Sequence, residues 1–174
     1  YAYAINQESL ELVWTGPTTP FVSARQTEQA LLQVINFAQT SLFIVSFVAY
    51  EIPSIMKALN VALGRGVNLS MLMELSKEHG GSIDMDVLGK MRSALPSAKL
   101  YVWRDKTEGF INGRVHAKIA SADSKICFIT SANLTGYAME KNMEAGVLVS
   151  GGNMPQLIHN HLQALIDTKI ISPL

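Results

Sequence analysis

Apolar and polar positions along the chain switch repeatedly between two periods. Residues Glu11 to Thr15 alternate as a short strand, and Gly16-Pro17 stops it. Ser23 with Gln26 three residues later has the form of a capping box. It predicts a helix whose apolar positions Ala30, Leu31, Val34, Ile35 and Ala38 follow the 3.6 period. Ser41 to Val48 is almost wholly apolar, the pattern of a strand covered on both faces. A helix from Pro53 to Gly64 and a strand from Val67 to Leu75 come next. Ser82 to Leu95 reads as a helix with Asp84 and Asp86 in its first turn and Pro96 beyond its end.

Lys99 to Trp103 predicts a further strand, and a polar loop from Asp105 to Gly113 follows it. Arg114 to Ala120 reads as a strand, Ser121 to Lys125 as a turn, and Ile126 to Thr130 as the hairpin partner. Glu144 to Val149 is the last strand. Pro155 to Thr168 is a closing helix, amphipathic through Leu157, Ile158, Leu162, Leu165 and Ile166. Strands alternating with helices predict an α/β sandwich whose sheet is mixed and largely parallel, with helices on both faces. No internal repeat or flexible linker divides residues 1–174, so one domain is expected.

Composition narrows the function classes. The 48% apolar fraction suits a well-buried α/β core. The longest apolar run, Leu42 to Tyr50, contains Ser46 and is far too short to span a bilayer. No basic, signal-like segment heads the chain, and it begins without Met, which is compatible with a piece of a longer protein. With 14 basic and 14 acidic residues, the net charge of zero gives no support to non-specific DNA binding by the whole domain. A local basic group remains, Arg104, Lys106, Arg114, Lys118 and Lys125, partly offset by Asp105 and Glu108. Cys127 is the single cysteine; no intrachain disulfide can form, and a reducing, cytoplasmic setting is expected. Its apolar surroundings predict a buried, inert thiol.

Chemistry concentrates at Val115-His116-Ala117-Lys118, followed by Asp123, Thr130-Ser131-Ala132-Asn133 and Asn142-Met143-Glu144. A histidine and a lysine two apart on a strand share a face, which sets an imidazole beside an ammonium. Such a pair suits attack on a phosphodiester. Asp123, in a turn, suggests backbone hydrogen bonding more than chemistry. His159 and His161, two apart on a helix, make a poor metal pair. His79, Glu74, Trp14 and Trp103 read as loop, pocket-edge or anchor residues. No phosphate-binding glycine loop, dinucleotide fingerprint, zinc spacing or Ser-His-Asp pattern occurs.

The spacing of His116, Lys118, Asp123, Ser131, Asn133 and Glu144 resembles the HKD motif of the phospholipase D superfamily, present here in one copy. The resemblance implies that His116 attacks phosphorus to give a phosphohistidine, without metal or cofactor. It implies Lys118 as phosphate clamp, Asn133 and Ser131 as donors to the phosphate, and Glu144 as the carboxylate that orients His116. A second imidazole must protonate the leaving oxygen, so a single copy implies a homodimer with a shared site. Short single-motif chains resemble the bacterial nuclease and defence-associated branch. The expected substrate is therefore nucleic acid, DNA ahead of RNA, with partner proteins to deliver it and no stable membrane association. A phospholipid hydrolase or phosphatidyltransferase, and an impaired binding subunit, are the alternatives. One departure stands out: the family's usual glycine before Ser131 is Thr130, a β-branched residue that does not take positive φ cheaply.

Overall fold

The computed structural model describes residues 7–46, 52–84 and 86–174. Eight strands form one sheet: β1 (Ser9–Thr15), β2 (Ser41–Ser46), β3 (Asn68–Met73), β4 (Lys99–Val102), β5 (Ile119–Ala122), β6 (Ile126–Thr130), β7 (Glu144–Ser150) and β8 (Ser172–Pro173). Their order is β1-β7-β6-β5-β2-β3-β4-β8. The sheet is mixed, as the alternation predicts. Parallel pairing is confined to β2–β3 and β3–β4, and the other five ladders are antiparallel. The expectation of a largely parallel sheet thus holds for one part only. Short turns such as 123–125 return the chain directly to the neighbouring strand, which forces antiparallel pairing.

Helices α1 (Thr27–Phe37), α2 (Pro53–Gly64), α3 (Val87–Ala94) and α4 (Gly136–Glu140) contribute to the core on one face, and α5 (Met154–Asp167) covers the other. The continuous apolar run of β2 serves both. Leu42 and Ile44 join Ala30, Leu31, Val34, Ile35 and Leu59 on the first face. Phe43 and Val45 join Leu72, Tyr101 and Leu162 on the second. Burying such side chains stabilises the fold by about 1.5–3 kcal/mol each, before the entropy of ordering the chain is counted.

Three boundaries depart from the sequence pattern. Ser23 does not cap α1. The Trp14 amide donates to the Arg25 carbonyl at 2.8 Å and the Arg25 amide to Leu12 at 3.3 Å, which holds residue 25 extended beside β1. The helix starts only at Thr27, after an extended Gln26 with no side-chain cap. α3 begins five residues later than Ser82 because Ser82 and Ile83 are tied back to Leu75 and Ser76. Asp86 is its N-cap, accepting from the Gly89 amide at 3.0 Å, and Asp84 lies outside the helix. β5 begins at Ile119, so His116 and Lys118 lie in the extended segment that leads into it. The Lys118 carbonyl still accepts from the Thr130 amide at 3.2 Å, the last rung on that side. The tail of the predicted strand, residues 47–48, lies outside the described residues.

Candidate active site

The pairings bring the ends of β1, β2, β3, β4 and β6 and the starts of β5 and β7 to one rim of the sheet. Loops outside the carboxyl ends of parallel strands are the usual ligand-binding region of open α/β sheets. Residues 113–118 and 131–143 both lie on this rim.

Lys118 is 8% exposed, and its Nζ lies 3.0 Å from His116 Nδ1 and donates to the His116 carbonyl at 2.6 Å. Burial pushes the ammonium below its ordinary range, and the negative charge of Glu144 acts in the opposite direction. The His116 side chain is exposed to solvent at the rim. The arrangement holds a compact cation beside an accessible imidazole, as transfer at an anionic diester requires.

Glu144 opens β7 opposite Thr15. Its Oε2 accepts from the Ser131 hydroxyl and its Oε1 from Asn142 Nδ2 at 3.2 Å. Ser131 Oγ in turn accepts from the Ala145 amide at 3.1 Å, so Ser131 and Glu144 are fixed as a unit. Asn133 follows, half-buried, and its Oδ1 is buried with no hydrogen-bond partner among the described residues. The next amide, of Leu134, donates to Ser46 Oγ at 3.3 Å, which pins this loop to the end of β2. The sequence signal for that contact was the single hydroxyl in an apolar run.

Thr130 does not adopt positive φ. It sits in β6 directly across from Gly146. Its Oγ1 accepts from the Ala132 amide at 3.1 Å and donates to the Ala145 carbonyl at 3.3 Å. A Cβ on Gly146 would lie 2.9 Å from Thr130 Cβ and 2.6 Å from the Ile129 carbonyl oxygen. The room required by the β-branched residue is therefore made on the opposite strand, a feature the one-strand sequence pattern did not show.

Asp123 lies at the other end of β5, away from His116. Its carboxylate accepts from the amides of Gln39, Thr40 and Ser41, each at 2.9 Å. Burial alone would raise its pKa, but those amides and nearby Lys125 outweigh burial and hold it below the usual carboxylate range. Its carboxylate thereby fastens the α1–β2 connection to the β5–β6 turn.

The remaining candidates are dispersed. Glu74 is buried and accepts from Ser82 Oγ at 2.5 Å, while His79 Nδ1 shares a 2.8 Å hydrogen bond with Ser76 Oγ. Trp14 donates to the Pro17 carbonyl at 3.0 Å. His159 and His161 lie on α5. Among the described residues no three His, Cys, Asp or Glu side chains converge as a metal site, and no helix is long and apolar enough to cross a membrane.

Comparison with known proteins gives consistent relatives. The chain is 28% identical over 168 residues to the DISARM protein DrmC of Bacillus paralicheniformis, spanning 95% of this chain and 67% of that protein. It is 27% identical over 143 residues to a cardiolipin synthase of Clostridium perfringens, but spans only 27% of that enzyme. The phospholipase D family member Nuc from Salmonella typhimurium superposes with a TM-score of 0.67 at 25% identity, covering 97% of this chain and 99% of Nuc. Residues 31–166 match the family described as "Cardiolipin synthase, PLD-like domain". With that match spanning most of the chain, and a mixed sheet flanked by helices on the template of Nuc, the chain belongs to the phospholipase D superfamily.

Proposed function

We propose that this protein is a metal-independent phosphodiesterase that cleaves nucleic acid, with His116 as nucleophile. The observation that carries the reading is the buried Lys118 ammonium, 3.0 Å from His116 Nδ1 and within the field of Glu144. His116 attacks phosphorus, the bond to the leaving oxygen breaks, and a second imidazole gives that oxygen its proton. Water then cleaves the phosphorus–nitrogen bond and returns its proton to the second imidazole. Lys118 and Asn133 donate to the phosphate oxygens as charge builds on them, whereas Ser131, whose one hydroxyl proton goes to Glu144, holds that carboxylate rather than the phosphate. Glu144 sets the orientation of the imidazole.

The second imidazole comes from another copy of the chain in a C₂ homodimer that buries about 1,600 Å² or more in total. Phe21 and Met143 on the loops of the same rim, and Tyr137 on α4 between β6 and β7 in the chain, are all well exposed and supply apolar surface for such a contact. Likeness to DrmC supports the defence-associated reading, and we propose that partner proteins deliver DNA to the site.

The test is incubation with plasmid, single-stranded DNA, RNA and a chromogenic phosphodiester in EDTA. Cleavage should persist in the chelator and fall at least about 10³-fold in His116→Ala. Light scattering should give a dimer, and a strict monomer at high concentration rejects the shared site. The family's cardiolipin synthase description favours a second reading, phosphatidyl transfer. Turnover of phospholipid vesicles with no nucleic-acid cleavage would establish it instead.

A further inference from the structure

Between the second face of the sheet and α5 lies an open cleft of about 340 Å³ that reaches His116. Its interior is apolar, lined by side chains such as Val45 and Leu162, while Trp103, Arg114 and His116 also line it. Clefts of this size, apolar inside with a few polar groups converging on them, are where small ligands are held. The Trp103 ring is fixed from several sides. Phe110 lies 5.9 Å away, centroid to centroid, and Lys106 Nζ 5.0 Å from the ring centroid. Lys106 also donates to the Gly113 carbonyl at 2.7 Å. A Cβ on Gly113 would come within 3.1 Å of the indole, so the backbone three residues before His116 packs directly on it.

We infer that this cleft receives one unstacked base of the strand under attack, with Trp103 as its stacking wall, so that the preferred substrate is single-stranded nucleic acid. The inference rests on the phosphodiesterase reading of His116 and names the substrate form. A base in a duplex is paired and stacked and cannot enter such a cleft, whereas a base in a single strand offers its π-face. Arg114 and His116 beside the cleft suit the adjoining phosphodiester, and the loop beyond Trp103 carries exposed Arg104 and half-buried Lys106, with Asp105 and Glu108 as opposing charges. An aromatic wall with a guanidinium beside it fits a nucleotide better than an acyl chain, which has no need of either.

The experiment is equilibrium binding of the His116→Ala chain, which lacks the nucleophile, to labelled 12-mers of single-stranded DNA and RNA, to the same sequence as duplex, and to phosphatidylcholine–cardiolipin vesicles, beside cleavage of the same strands by the wild-type chain. Single strands should bind more tightly than duplex. Trp103→Leu should weaken single-strand binding about 5- to 150-fold and leave duplex binding unchanged, while Trp103→Phe restores most of it. Should Trp103→Leu fail to fold, Ile170→Trp fills the cleft from its half-exposed edge and should give the same loss. Duplex and single strand bound alike, with no effect of either substitution, would overturn the inference. So would vesicle binding without oligonucleotide binding, or loss traced to a changed oligomeric state. Binding as expected without cleavage would leave the cleft standing and reject the phosphodiesterase. Cleavage that ignores Trp103 and strand form would do the reverse.

Discussion

Thr130 and Gly146 face each other across the β6–β7 ladder, and the missing side chain of the glycine is the space that the threonine occupies. Gly146→Ala should therefore destabilise the domain by about 1–3 kcal/mol through overpacking. The Cβ would meet Phe128 and the Ile129 carbonyl as well as Thr130, so Thr130→Gly should restore only part of the loss. Urea denaturation of both single variants and the double variant measures this coupling. Strict additivity would mean that the two positions do not share space.

Asp123 should behave as a structural carboxylate. Asp123→Ala strands three backbone amides, with an expected cost of about 2–4 kcal/mol. Its folded pKa lies below the unfolded value. The stability it contributes is thus fully present above the ordinary carboxylate pKa and is lost as pH falls through the lower, folded value. Thermal melts from pH 7 to pH 2 should show a steeper acid loss in the wild type than in Asp123→Ala. Parallel curves would contradict the assignment.

Cys127 should resist alkylation. It is fully buried, and desolvation pushes its thiol up to about 11, leaving roughly one thiolate in a thousand at pH 8. Iodoacetamide labelling at that pH should be slower than that of an unfolded control by a factor set by the population of the open state, and should approach the control rate in denaturing urea. The raised value also means that the thiol favours the folded state up to the ordinary thiol pKa. That preference is lost as pH climbs from there through about 11.

The Glu144 charge raises the Lys118 pKa against the lowering effect of burial. If Lys118 acts as a protonated phosphate clamp, activity should fall on the alkaline side as it loses its proton. Glu144→Gln removes the supporting charge, so that limb of the kcat/KM profile should move to lower pH. A limb that stays fixed, or moves upward, would place the alkaline titration on another group.

Much of this architecture was legible in the sequence because burial writes itself as period. The β2 run announced a two-faced strand, and Ala30, Leu31, Val34 and Ile35 announced the buried stripe of α1. What failed to show were effects carried by backbone hydrogen bonds between distant segments. Arg25 clamped to β1 moved the start of α1, and Leu75 carbonyl bonds delayed α3. The five-residue α4, capped by Thr135, is too short to display a period. At the candidate site, motif spacing pointed to His116, Lys118 and Glu144, and the fold brings them to one rim of the sheet. The compensation between Thr130 and Gly146 stayed hidden because it joins residues on two strands, where no local pattern records it.

The two bonds from Lys118 to its own motif partner, at 2.6 Å and 3.0 Å, bear on how an anion would be met. An ammonium carries three protons, and one is already given to the His116 carbonyl. A free lysine gives up as much as about 2 kcal/mol of rotamer freedom when it grips a ligand. Here that freedom is surrendered during folding, before any substrate arrives, because the ammonium is held at the His116 carbonyl and beside its ring. If His116 and Lys118 act as proposed, the cost of placing the cation for a phosphate is met before the substrate binds.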